Sequence, residues 1–280
     1  MQVEVPWALG PADGRYLVRD PGEEAPSHVL VLATLGAPER RRLRARRRAG
    51  EAVSPEPSPA PVTTARATVI DATPLSTAEA ERWLAASGDA EAEQALAQIA
   101  RAVHAHRLAS ADPGVRAPTL AHALVVRAGY GAGEQVADGR WSAARELPPP
   151  VPGRRRRVAA IRPQERLAAL LGGHVEALAC EELALRARED LDRGRPREAA
   201  LQLRAALDAA VVELTREAGA SADLARRVEE LRILRAELPA STEEALAAAL
   251  APDAREMLAR PLQRLEAALR ARVADQTSGA

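Results

Sequence analysis

The stretch ELPPPVPGRRRR, residues 146–157, decides how the fold is read, because the chain changes character across it. It holds four prolines and four consecutive arginines. Upstream lie short apolar, β-branched runs separated by turn residues, while downstream, from Pro163 onward, apolar residues recur at helical spacing. The pattern is α+β. The expected organisation is an α+β domain over residues 1–145 with a small mixed sheet and two helices, a linker over 146–157, and an all-α helical bundle over 158–275.

Just upstream of the linker, HALVVRA (122–128) reads as a strand, with a helix as the alternative for so short an apolar run. RYLVR (15–19), HVLVLATL (28–35) and RATVIDA (66–72) read as three earlier strands, the first two probed apart by the turn-forming DPGEEAPS. Between the second and third, RRRLRARRR (40–48) is followed by alternate prolines at 55, 57, 59 and 61, so a disordered, extended insertion is expected over about 37–63. Ser76, Thr77, Ala78 and Glu79 have capping-box spacing for a helix through Trp83 and Leu84. A second helix over 90–110 turns Leu96, Ile99, Val103 and His106 to one side.

Downstream, Leu167, Leu171, Val175 and Leu178 form an apolar stripe broken at Gly172 and Gly173. Ala199, Leu203, Leu207, Ala210 and Leu214 form the next, followed by Leu224, Val228, Leu231 and Leu238. Ser241 to Glu244 repeats the capping-box spacing. Leu258, Leu262, Leu265 and Leu269 make a bundle or coiled-coil seam, open to core packing or to pairing with another chain. Pro261 within it predicts a kink or a helix starting there.

The 280 residues carry 39 basic and 39 acidic groups, and every basic residue is Arg. Without Lys, a P-loop, a Schiff-base enzyme and a protein kinase site are excluded. With no Phe, two Tyr and three Trp, the core must be built from Ala, Leu and Val, which favours helices. Cys180 is the single cysteine, so intrachain disulfides, Cys-rich zinc sites and four-cysteine clusters are excluded as well. The first residues, MQVEVPWALGPADGR, carry charge and proline where a signal peptide needs an apolar run, and no stretch approaches the ~20 apolar residues of a membrane span. A cytoplasmic location is expected.

Residues 178–214, with Ala187, Gly194, Ala199 and Ala206 at small-residue positions, resemble one tetratricopeptide unit; no second copy follows at the 34-residue period. The same segment is similar to the helical hairpin of HEPN domains. Many of those are ribonucleases that use an Arg and a His on a later helix, but here no His follows His174. HVLVLATLGAPERRR, ALVVRAGYGAGEQVADGRW and RPQERLAALLGG together resemble an uncharacterised conserved family of actinobacterial proteins, a likeness that brings no activity with it.

One segment offers a ligand site. In GYGAGEQVADGRW (129–141), Gly129, Gly131 and Gly133 follow an apolar run, but G-x-G-x-G is not the G-x-G-x-x-G of a dinucleotide fold, and prolines stand where the later acid would be. A candidate anion site there would use the loop amides with Arg127 and Arg140, Glu134 or Asp138 as base, and Trp141 as a wall. Two arginine clusters are candidate nucleic-acid contacts: Arg40, Arg41, Arg42, Arg44, Arg46, Arg47 and Arg48, and Arg154, Arg155, Arg156 and Arg157. The balanced charge and scarce aromatics argue against that use. His104 and His106 stand about 200° apart on a helix and cannot chelate one metal together, and His28 and His122 meet only if their strands pair.

No catalytic, metal or cofactor site is expected. The leading expectation is a non-enzymatic protein-binding or scaffold module working through its helical domain, with a protein partner or a second copy and no membrane. The alternatives are a nucleic-acid-associated protein anchored by the Arg clusters, and an enzyme for an anionic small molecule at the 129–141 loop.

Overall fold

Alternation sets the first strand, β1 (Gln2–Val5), which turns Val3 and Val5 to one face and Gln2 and Glu4 to the other. The computed structural model describes residues 1–20, 23–36, 62–148, 163–239 and 242–278. The chain divides into two units, Met1–Gly153 and Arg154–Ala280. Apart from Val62 and Thr63, the expected insertion lies outside the described residues, as do both Arg clusters, Ser241 and most of the 146–157 linker.

In the first unit, β2 (Gly14–Val18), β3 (His28–Leu35), β4 (Thr64–Asp71), β5 (Val125–Tyr130) and β6 (Ala143–Glu146) join β1 in the order β2-β3-β4-β1-β5-β6. The α+β class is as expected. In detail the sheet is not mixed, since every pairing is antiparallel. β1 and β6, four residues each, were not anticipated as strands, and the 122–128 run begins in a 3-10 turn, Leu120–His122, before β5.

Two helices cover the apolar face of this sheet: α1 (Thr77–Ala86) against β5 and α2 (Asp89–Ser110) against β4. Val3, Val5, Leu30, Leu32, Ala67, Val69, Val126 and Ala128 meet Ala92, Leu96, Ile99 and Val103 there. The capping box forms as spaced, with the Ser76 N–H donating to Glu79 Oε2 at 2.9 Å. Arg145 of β6 closes the other end of α1, its Nε donating to the Leu84 carbonyl at 2.8 Å.

The second unit is helical: α3 (Pro163–Leu171), α4 (Ala179–Asp192), α5 (Pro196–Glu217), α6 (Ala222–Glu237), α7 (Thr242–Ala248) and α8 (Ala254–Ser278). α5 is the hub and touches α4, α6, α7 and α8. Ala187, Ala199 and Ala206 are buried where α4 and α5 cross, and Gly194, at φ +68°, turns the chain between them. Leu258, Leu262 and Leu265 of the expected seam lie buried in this core. Of the two uses expected of the seam, core packing is the one that these three leucines make.

Two further expectations are corrected. Leu167 and Leu171 stay 49% and 81% exposed, because α3 ends at Gly172 and Gly173 before its stripe can join the core. Of the two outcomes expected at Pro261, a kink or a helix starting there, the start is corrected. α8 begins at Ala254 and runs through the proline, which is buried and forgoes one backbone hydrogen bond while the leucines around it pack on α5 and α6.

Candidate functional site

The open face of the sheet is polar around β1 and apolar toward β2 and β3, where Leu17, Val29 and Ile70 lie side by side. Across it, in register, run Arg15, Val31, Thr68, Gln2, Arg127 and Glu146, one from each strand. A second row places Arg66 beside Glu4. The Gln2 amide donates to Thr68 Oγ1 at 3.1 Å and accepts from Arg127 Nη1 at 3.3 Å. Glu4 Oε1 accepts from Arg66 Nε at 3.0 Å and Arg127 Nη1 at 3.2 Å, so one carboxylate holds two guanidinium groups.

The Gly-rich segment lies over this face as a strap. From Tyr130 the chain forms a 3-10 turn, Glu134–Asp138, that touches β4, and it returns as β6 beside β5. Glu134 reaches Arg15 at 3.1 Å, and Gly139, at φ +76°, sits on Gln2, where a side chain would come within 3.0 Å of the Gln2 amide nitrogen. Trp141 lies flat on Gly129, and its indole N–H donates to the Val136 carbonyl at 3.0 Å. A strand glycine covered by an aromatic ring gains back the packing that its missing side chain gives up.

Of the candidate ligand loop, Arg127, Glu134 and Trp141 are each engaged by a neighbouring group. Arg127 is engaged by Gln2, Glu4 and Glu146, Glu134 by Arg15, and Trp141 by Val136. Asp138 and Arg140 are exposed. His28 and His122 do not meet, because β4 and β1 stand between their strands. His28 pairs with Ser27, and His122 with Thr119 and the edge of Trp7. Gln2, Glu4, Arg66 and Thr68, which complete the patch, escaped the sequence reading: they come from strands more than sixty residues apart, linked only through β1.

Elsewhere in this unit a cleft of about 390 Å³ is lined by the loop after β1 and by Leu32, Ala33, Thr34 and Ala65. Its one carboxylate, Asp13, is held by the Thr34 N–H and hydroxyl at 2.9 and 2.8 Å. Among the described residues no group of His, Cys, Asp and Glu is placed to hold a metal ion.

In the helical unit, buried Arg272 of α8 joins Glu217 of α5 at 2.8 Å and Glu181 of α4 at 3.3 Å. Glu181 also takes Arg166 of α3. Glu213 accepts the first two amides of α4, Ala179 at 3.1 Å and Cys180 at 3.0 Å. Burial opposes the charge on Glu213, but these amides, the Cys180 thiol and Arg272 outweigh it and lower the carboxyl's pKa. Burial, then Glu213, pushes the Cys180 thiol up, so the thiolate is suppressed.

An apolar cleft opens where α5, α6, α7 and α8 converge. Four alanines, Ala200, Ala245, Ala248 and Ala249, line it together with Leu238, Met257 and Leu258. Arg204 stands at one edge, donating to the carbonyls of Arg235, Leu238 and Pro239 and to Asp208.

Comparison with family models, with curated proteins and with solved structures finds no match for this chain. Among the described residues no helix is long and apolar enough to cross a membrane.

Proposed function

We propose that the chain is a non-enzymatic protein-binding module that docks its partner through the helical unit. The cleft at the convergence of α5, α6, α7 and α8 carries this reading. Its lining is largely alanine, and Met257, 37% exposed, is its adaptable member. The free space there is about 10 Å³, so an aliphatic anchor from a partner helix or peptide enters as the flexible Met257 side chain moves aside. Arg127 and Glu134 of the candidate ligand loop are held by Gln2, Glu4 and Arg15 of the sheet, which supports the non-enzymatic half of the reading.

Purification of the full chain from its native cells, beside the Ala248→Glu variant, tests the proposal. Ala248 is half-buried at the cleft, so a carboxylate there blocks an apolar anchor while the helix tolerates it. The expected result is one stoichiometric protein partner, lost in Ala248→Glu at unchanged melting temperature. A partner kept by the variant, or recovery of nucleic acid alone, released by deleting residues 40–48, would overturn it.

A further inference from the structure

We propose that residues 131–140 form a lid that swings off the sheet's open face without unfolding the sheet, and that opening bares a polar patch centred on Gln2 and Thr68. What lies beneath the strap is the first observation. Gln2 and Thr68, 3% and 2% exposed, are two of the four buried polar or charged side chains among the described residues. Strand alternation puts them on the face away from the helices, and the strap lies over Gln2. Apart from Val31 the floor is polar and can exchange its partners for water, so uncovering it carries less penalty than uncovering an apolar core.

The second observation is how lightly the strap is held. Ala137 is its one buried side chain. Its tip is tied by Arg15 and Glu134, 48% and 87% exposed, a pair that solvent screens. Its base is tied by the Trp141 indole on Val136. Gly133 and Gly139, both at positive φ, flank the turn and can take up large backbone rotations. Trp141, just outside the strap and two residues ahead of β6, has its ring against Gly129 of β5.

Adjacent residues of β4 provide the test, since Thr68 faces the strap and Val69 faces the helices. Thr68→Cys and Val69→Cys are made separately in the full chain and alkylated under native conditions, with labelled sites read by peptide mass. If the strap opens alone, the thiol at 68 reacts at least ~100-fold faster than the one at 69, since local opening outruns global unfolding. Ala137→Asp, which places a charge against the floor, raises the rate at 68 a further ~10-fold and leaves 69 unchanged. Equal rates at 68 and 69, or a rise at both with Ala137→Asp, would overturn the proposal. In the unsubstituted chain the Trp141 indole hydrogen, held by Val136 of the strap, exchanges with solvent ~100-fold faster than the Val69 amide. Matching exchange rates would overturn it independently.

Discussion

At Gly129 a methyl group would lie 2.3 Å from Trp141 Cε3, so Gly129→Ala has to lift the indole off the strand. The expected cost is about 1–3 kcal/mol, the usual range for overpacking, measured by urea unfolding followed through tryptophan fluorescence. A double-mutant cycle with Trp141→Ala assigns that cost to the ring if the pair loses less than the sum of the two singles. The Met1 amine gives a second prediction. It donates to the Val69 carbonyl at 2.9 Å, and burial lowers its pKa from 8.0 to about 6 against the opposing pull of Asp71. Between those values the unfolded chain binds a proton that the folded chain refuses. Stability therefore rises with pH from about 6 to 8 and is flat on either side, by at most about 2–3 kcal/mol. Urea midpoints across that window, with and without N-terminal acetylation, check this; the acetylated chain loses the slope.

Glu213 closes the start of α4 from the neighbouring helix α5, which is why no capping residue is needed in the sequence before Ala179. Glu213→Ala leaves two amides unsatisfied and is expected to cost about 1–2 kcal/mol, with Glu213→Gln recovering part of it because one acceptor remains. Acid adds to the loss in the native chain: a carboxyl with a lowered pKa contributes above its unfolded pKa and loses that contribution as pH falls through the folded one. Local signals were legible in the sequence where an element carries its own. The Ser76 capping box and the stripes of α2 and α5 are of that kind. β1 and β6 were not, because QVEV and AARE become strands through partners far along the chain. The Gly-rich loop was legible as a place but not as an arrangement, since its contacts run to Arg15 and Gln2 across long separations. The stripe of α3 misled for the opposite reason: its spacing is helical, but no facing surface buries Leu167 or Leu171.

A chain without Phe builds each core from Ala, Leu and Val, and does so twice. One cluster runs from Val3 to Leu147 and joins the sheet to α1 and α2; the other runs from Cys180 to Ala268 and centres on α5; they share no residue. Small side chains let α4 approach α5 closely, so each large side chain left between the helices has little room for substitution. Leu207, fully buried, is such a residue, and Leu207→Ala is expected to cost about 2–5 kcal/mol through lost burial and the cavity left behind. Because the cores are separate, that loss belongs to the helical unit alone. Hydrogen exchange should speed at the amides of α4 and α5 and stay constant at the Val69 amide, while Ile99→Ala, in the other core, reverses the pattern. Equal loss at both sets of amides from either substitution would mean that the two cores unfold as one cooperative block, with stability shared along the chain rather than held by each core.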